Sequence, residues 1–326
     1  MTVDTRGLFA EGARRVLRYQ RVLWWLFVVN ALFAMFAVRP GAEQFGDVLD
    51  HSLHAQRLSD AFDIFAFIEL ATKPEIQIGS TNGGALAFSL IFFVLSLFMT
   101  GGILEAYRPG RKLSTAEFFH ACGAFFWRWV RMTLCLVVIL APLLLLAGVV
   151  YDWSGNLSEN ATQEKLGFWV LLAGGLLLAF VLMVVRLWFD MAQVRAVAEN
   201  ERAVRKSIAN AFRLTRKHFA PLFRIYFGIT LLAWVVLALA LWIWSVMPSR
   251  YFALSVIMLE LVVLFWFFAR LWQRASETVW YERWQASQYT SAMNSAVVAP
   301  SMPLARFALI VSVLLPSFVH LRGLRG

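Results

Sequence analysis

The stretch VIMLELVVLFWFFARLW, Val256 to Trp272, is apolar apart from one carboxylic acid, Glu260, and the arginine near its end. Arg250 precedes that acid by ten residues and Arg270 follows it by ten. At ~1.5 Å of helical rise per residue each arm is about 15 Å long, half of a roughly 30 Å hydrocarbon core. An ionised carboxylate at such a depth costs roughly 2.5–3.5 kcal/mol, so the acid must be protonated, paired or wet. Two chemistries fit. One is a titrating proton or cation site inside a helix bundle; the other is a neutral acid hydrogen-bonded to a neighbouring helix. No second acid stands at mid-depth to complete a relay, which favours the neutral acid, and Asn30 is the polar side chain at similar depth that can partner it. Either chemistry expects Glu260 to face inward.

The other candidates lie at the ends of apolar runs. Arg186 and Asp190 are one helical turn apart and are expected to form an i,i+4 pair, either a local ion pair easing an arginine into the interface or an anion or headgroup site. Glu105, after Gly101-Gly102 and one turn before Arg108, is expected to play the same part for its own run. Between Arg202 and Lys217 a basic helix carries Arg205, Lys206, Arg213, Arg216 and Lys217. Such a helix attracts anionic lipid by about 1 kcal/mol per basic residue, or simply anchors the chain on one side of the membrane. His51 and His54 with Asp47 and Asp50 have the spacing of metal ligands, but on a polar loop they read as solvated side chains. No Ser/His/Asp order, Gly-rich phosphate loop or HExxH helix occurs, so no catalytic residue, metal or other cofactor is expected.

The elements that position these groups follow from composition. Of 326 residues 60% are hydrophobic and only 15% charged, where a soluble domain would be near a quarter charged. The net charge of +10 sits in short runs between apolar spans, which argues against nucleic acid and for topology-setting Lys and Arg. Six spans are expected, near 22–38, 85–102, 132–151, 166–189, 222–247 and 252–272, each close to the ~20 residues a helix needs to cross a bilayer. Because irregular backbone cannot face lipid, the fold class is an all-α, six-helix transmembrane bundle with amphipathic interfacial helices. Alternate connections carry 22 Lys and Arg against five, which puts the N-terminus and the end of span six in the cytoplasm.

The six-span domain occupies 1–284, and 285–326 reads as a polar linker with a short apolar segment, 307–319, that is interfacial or re-entrant or, alternatively, a seventh span. The basic start runs into span one without a small-residue cleavage site, so no cleavable signal is expected. In the outer loop 39–84, Phe45, Val48, Leu49 and Leu53, and then Phe62, Phe65 and Ile68, repeat at helical spacing and predict two short surface helices. Ser114-Thr115-Ala116-Glu117 is a capping box opening a helix that runs into span three. In the basic helix, Val204, Ile208, Ala211 and Phe212 form the apolar face. Ala173, Gly174, Gly175 and Ala179, and more loosely Gly228 and Ala233, predict close helix packing. Cys122 and Cys135, one cytoplasmic and one within a span, are not expected to pair. The two Asn-x-Ser/Thr sequences at Asn156 and Asn160 read as turn residues.

The order of features in RLWFDMAQVRAVAENERAVRKSIANAFRLTRKHFAPLFRIY, Arg186 to Tyr226, is distinctive. A span ends in Arg and Asp, an alternating A-V-x-x-S-I-x-x-A helix follows, and basic residues lead into the next span. This resembles the polytopic membrane domains found beside glycerophosphodiester phosphodiesterases and the related YciC-like inner-membrane proteins, over spans two to six. The resemblance implies an inner-membrane location. It does not imply the phosphodiesterase reaction, whose separate barrel has no counterpart in this sequence.

The function expected is that of a non-enzymatic protein of a bacterial cytoplasmic membrane, in contact with anionic phospholipid headgroups and open to a homo-oligomeric or other membrane partner. A small-solute or proton-coupled transporter using Glu260 is the alternative. An enzyme acting on lipid headgroups around Arg186, Asp190 and Glu105 is a weaker one.

Overall fold

A computed structural model of the chain describes residues 7–50, 83–109, 113–160, 165–247 and 251–298. All the regular structure among them is helical. The elements are α1 (Leu8–Arg18), α2 (Gln20–Asp50), α3 (Gly83–Ala106), α4 (Thr115–Asn160), α5 (Lys165–Ala198), α6 (Val204–Lys217), α7 (Phe219–Val246) and α8 (Phe252–Val298). Six of these, α2 to α5, α7 and α8, are long and apolar enough to cross a membrane, and they overlap the six apolar stretches of the sequence. Residues Gly7–Thr278 make one compact unit, and the described residues 279–298 belong to a second.

Several helices run beyond the apolar stretch that forms them. α2 continues through Pro40 to Asp50, so Phe45, Val48 and Leu49 prolong the first apolar helix instead of opening a separate one. One proline removes one backbone donor, which a long helix absorbs locally. Leu53, Phe62, Phe65, Ile68, His51 and His54 lie outside the described residues, as does the apolar segment 307–319. α4 opens on the expected capping box: the Ser114 backbone N–H donates to Glu117 Oε2 at 2.7 Å, and the Glu117 N–H donates to Ser114 Oγ at 3.3 Å. From that cap it runs unbroken through Pro142 to Asn160.

The buried core lies towards the end of the bundle that carries α1 and α6. There Val16 of α1, Leu23 and Leu26 of α2, Met99 and Ile103 of α3, and Leu271 and Ala275 of α8 pack into one cluster. Glycine lets α3 approach α4 closely. A Cβ on Gly101 would stand 2.9 Å from the Ala121 carbonyl oxygen, and one on Gly102 only 2.6 Å from Cys122 Sγ. Towards the other end the helices expose their apolar side chains: no more than 28% of the most apolar window of any of the six is buried. That leaves an apolar outer surface suited to hydrocarbon.

Among the small residues singled out in α5, Gly174 alone packs as expected, its missing Cβ lying 2.5 Å from Val150 Cγ1 of α4. Ala173, Gly175 and Ala179 are exposed. In α7, Ala233 is buried and Gly228 faces the Phe9 ring of α1. Cys122 and Cys135 are free thiols.

Candidate functional site

Several of the polar side chains that the bundle buries converge where α8 passes α5, α7 and α3. Arg270 of α8 donates from Nη1 and Nη2 to the two carboxylate oxygens of Asp190 on α5, both at 2.8 Å. This two-pronged geometry is the strongest that a guanidinium and a carboxylate can form, and the Asp190 side chain is only 3% exposed. Arg270 also donates to Gln273 Oε1 at 3.3 Å, and Gln273 Nε2 donates to Thr230 Oγ1 of α7 at 2.8 Å. Thr230 in turn donates to the Tyr226 carbonyl at 2.9 Å. One turn along α8, Arg274 reaches α3, donating to Thr100 Oγ1 at 3.0 Å, while Thr100 donates to the Ser96 carbonyl. Residues at i, i+3 and i+4 of a helix share a face, which is how Arg270, Gln273 and Arg274 bind three different helices from one stripe of α8.

Two side chains in this network keep polar atoms without a hydrogen bond among the described residues. Both carboxylate oxygens of Glu277 and the Nε of Arg274 are buried without a hydrogen bond. Buried polar atoms normally find partners, so these atoms mark the least satisfied part of the network. With Arg186 at its edge, within electrostatic reach of Arg270, Asp190 and Glu277, the network sets three guanidinium groups against two carboxylates.

The sequence candidates fall differently from expectation. Asp190 is paired across the bundle with Arg270 and not with Arg186; the exposed Arg186 makes no ion pair among the described residues. A fixed acceptor in the core, two-pronged to Arg270, outcompetes a neighbour that can snorkel outward. Glu105 is buried beside Arg108 (3.2 Å), as its spacing predicts, and no hydrogen bond or ion pair joins it to Arg186 or Asp190. Glu260 does not face inward: it is exposed on the outside of α8, and no hydrogen bond links it to the half-buried Asn30. The residues that sequence reasoning missed are Gln273, Arg274 and Glu277. Their signal was a polar i, i+1, i+4 set following directly on an apolar helix.

The basic helix α6 is fixed to the bundle next to this network. Trp188 of α5 donates from its indole N–H to the Ile208 carbonyl at 2.9 Å, and Ser207 donates from its hydroxyl to the Ala192 carbonyl at 3.1 Å. Its buried face is Ser207, Ala211, Leu214 and Thr215, whereas Phe212 is exposed with its ring 5.0 Å from that of Trp188. The apolar face expected from the sequence is thereby rotated, because small side chains let α6 lie close against α5. The turn before α6 is held by Arg128 of α4, which donates to Asn200 Oδ1 at 2.9 Å. Asn200 itself adopts a left-handed φ of 48°. The acids near the turn are taken: Glu199 pairs with Arg195 at 2.9 Å and Glu201 with Lys206 at 3.3 Å. Arg205, Arg213, Arg216 and Lys217 are exposed and form no ion pair among the described residues. The result is an anchored helix with an uncompensated positive face.

Compared with protein-family models, with curated proteins and with solved structures, the chain matches none.

Proposed function

We propose that this chain is a non-enzymatic, multi-pass protein of a bacterial cytoplasmic membrane, with its N-terminus inside, that organises the membrane by holding anionic phospholipid headgroups. The observation that carries this reading is the face of α6, where Arg205, Arg213, Arg216 and Lys217 are exposed, without acid partners among the described residues, on a helix bound to α5 by the Trp188 and Ser207 hydrogen bonds. A mobile basic tail gives only a diffuse field. A helix held by its buried face keeps the cations at a fixed height, where each contributes about 1 kcal/mol against an anionic leaflet. The charge asymmetry of the connections supports the orientation, and the resemblance over Arg186–Tyr226 to YciC-like inner-membrane proteins supports the location. Transport through Glu260 has no comparable support, since an exposed side chain on α8 lines no internal path.

The test is a variant with Arg213, Arg216 and Lys217 all changed to Gln, purified in mild detergent beside the wild type. Losing about 3 kcal/mol of attraction predicts phosphatidylglycerol binding weaker by on the order of a hundredfold, with binding of zwitterionic lipid unchanged. Retention of the anionic lipid by the triple variant counts against the proposal.

A further inference from the structure

A second basic site lies away from α6, between the α1–α2 turn and the start of α4. A cavity of about 550 Å³ opens there, lined by residues of α1, α2, α3 and α4. Its volume lies in the range of sites that take a small amphiphile, about 300–1,000 Å³. Arg18 and Arg21 stand at one side of it, exposed and with no ion pair among the described residues. Trp25, Met99, Phe118 and Phe119 make the apolar wall.

The order of these side chains along the helices carries the argument. Arg21 and Trp25 are one turn apart on α2, so the lining changes from cationic to aromatic over about 6 Å along the helix axis. The Trp25 and Phe119 rings close the apolar side, with centroids 6.2 Å apart. On the polar side the lining is completed by Ser114 and Thr115 at the start of α4. A ligand that satisfies this lining has an anionic, phosphate-type head and an apolar chain that lies against the aromatic wall. Inorganic phosphate would leave the aromatic wall bare, and a neutral lipid would leave both guanidinium groups unsatisfied.

We infer that this cavity is a discrete site for one anionic phospholipid, its phosphate against Arg18 and Arg21 and its acyl chain against Trp25 and Phe119. The inference deepens the proposed function, since it rests on the same anionic-lipid chemistry while assigning it to different residues.

The experiment uses the full chain reconstituted in phosphatidylcholine nanodiscs and titrated with phosphatidylglycerol carrying brominated acyl chains, which quench nearby indoles. The part of the quenching that a Trp25→Phe variant lacks reports this site alone. Wild type is expected to show saturable quenching of that component. An Arg18→Gln/Arg21→Gln variant is expected to need about thirtyfold more lipid, because two surface cations are gone. The Arg213, Arg216 and Lys217 variant is expected to keep the Trp25 component unchanged, so the two sites fail separately. Quenching of Trp25 equal with brominated phosphatidylcholine, or unaffected by the arginine changes, overturns the inference. So does displacement of the lipid by millimolar inorganic phosphate, which would mean a phosphate site instead. All these variants alter exposed side chains, and unchanged helicity by circular dichroism verifies the fold.

Discussion

At the scale of single residues, the pair Asp190–Arg270 has no substitute. Its carboxylate accepts two hydrogen bonds at 2.8 Å and is almost wholly shielded, so removing its charge strands a guanidinium in the core. Breaking a buried pair from one side costs roughly 3–5 kcal/mol. The Arg270 side chain keeps 21% of its exposure, and water compensates part of the loss, so the expected cost of D190N is about 3 kcal/mol. Glu277 has no hydrogen bond to lose, and E277Q is expected to cost about 1 kcal/mol or less. Unfolding in mixed micelles with increasing dodecyl sulfate measures both. The addition of R270Q to D190N should recover part of the loss, because it removes the stranded charge. Equal costs for D190N and E277Q would refute this ranking. None of the pairing was legible in the sequence: Asp190 and Arg270 are 80 residues apart, and a local candidate, Arg186, stood one turn away.

At the scale of elements, the capping box at Ser114 and the six apolar helices were legible because each depends only on neighbours in the chain. The rotation of a helix about its own axis was not. Around Glu260 the α8 sequence is apolar on every side, with Ile257, Leu261 and Leu264 at neighbouring positions, so no periodicity marks the face that packs. For α6 a periodicity existed, yet the small residues Ser207 and Ala211 decided the contact, since close approach to α5 matters more there than hydrophobicity. Glycines show the same rule in a form that can be measured. Gly101 and Gly102 of α3 and Gly175 of α5 look alike in sequence, but a Cβ on Gly101 would meet backbone of α4 at 2.9 Å, while one on Gly175 meets nothing within 4 Å. Overpacking typically costs about 1–3 kcal/mol. Gly101→Val should therefore lower the thermal midpoint by several degrees, whereas Gly175→Ala leaves it unchanged or raises it, because alanine is the better helix former by about 1 kcal/mol. A midpoint unchanged by Gly101→Val would mean that α3 and α4 are not in close contact.

At the scale of the whole molecule, the distribution of charge and the distribution of burial point the same way. Arg18 and Arg21 beside α3 and α4, Arg186 and the face of α6 all lie towards the end of the bundle where the core is buried. Among the described residues the other end exposes apolar helix surface and carries few cations. A protein that holds anionic lipid needs its positive end on the anionic leaflet, and the positive-inside rule makes the same demand through biogenesis, so the two arguments stand or fall on a single orientation. That orientation is open to direct measurement with single cysteines placed in a chain lacking Cys122 and Cys135. Lys165 and Arg216 are the positions to compare: the first begins α5, and the second lies on the exposed face of α6. In intact cells a membrane-impermeant maleimide is expected to label Lys165→Cys within minutes and to leave Arg216→Cys unlabelled until the membrane is opened. The reverse pattern would put the basic face outside, and with it would fall both lipid sites, since neither could then meet the leaflet whose charge they are built to hold.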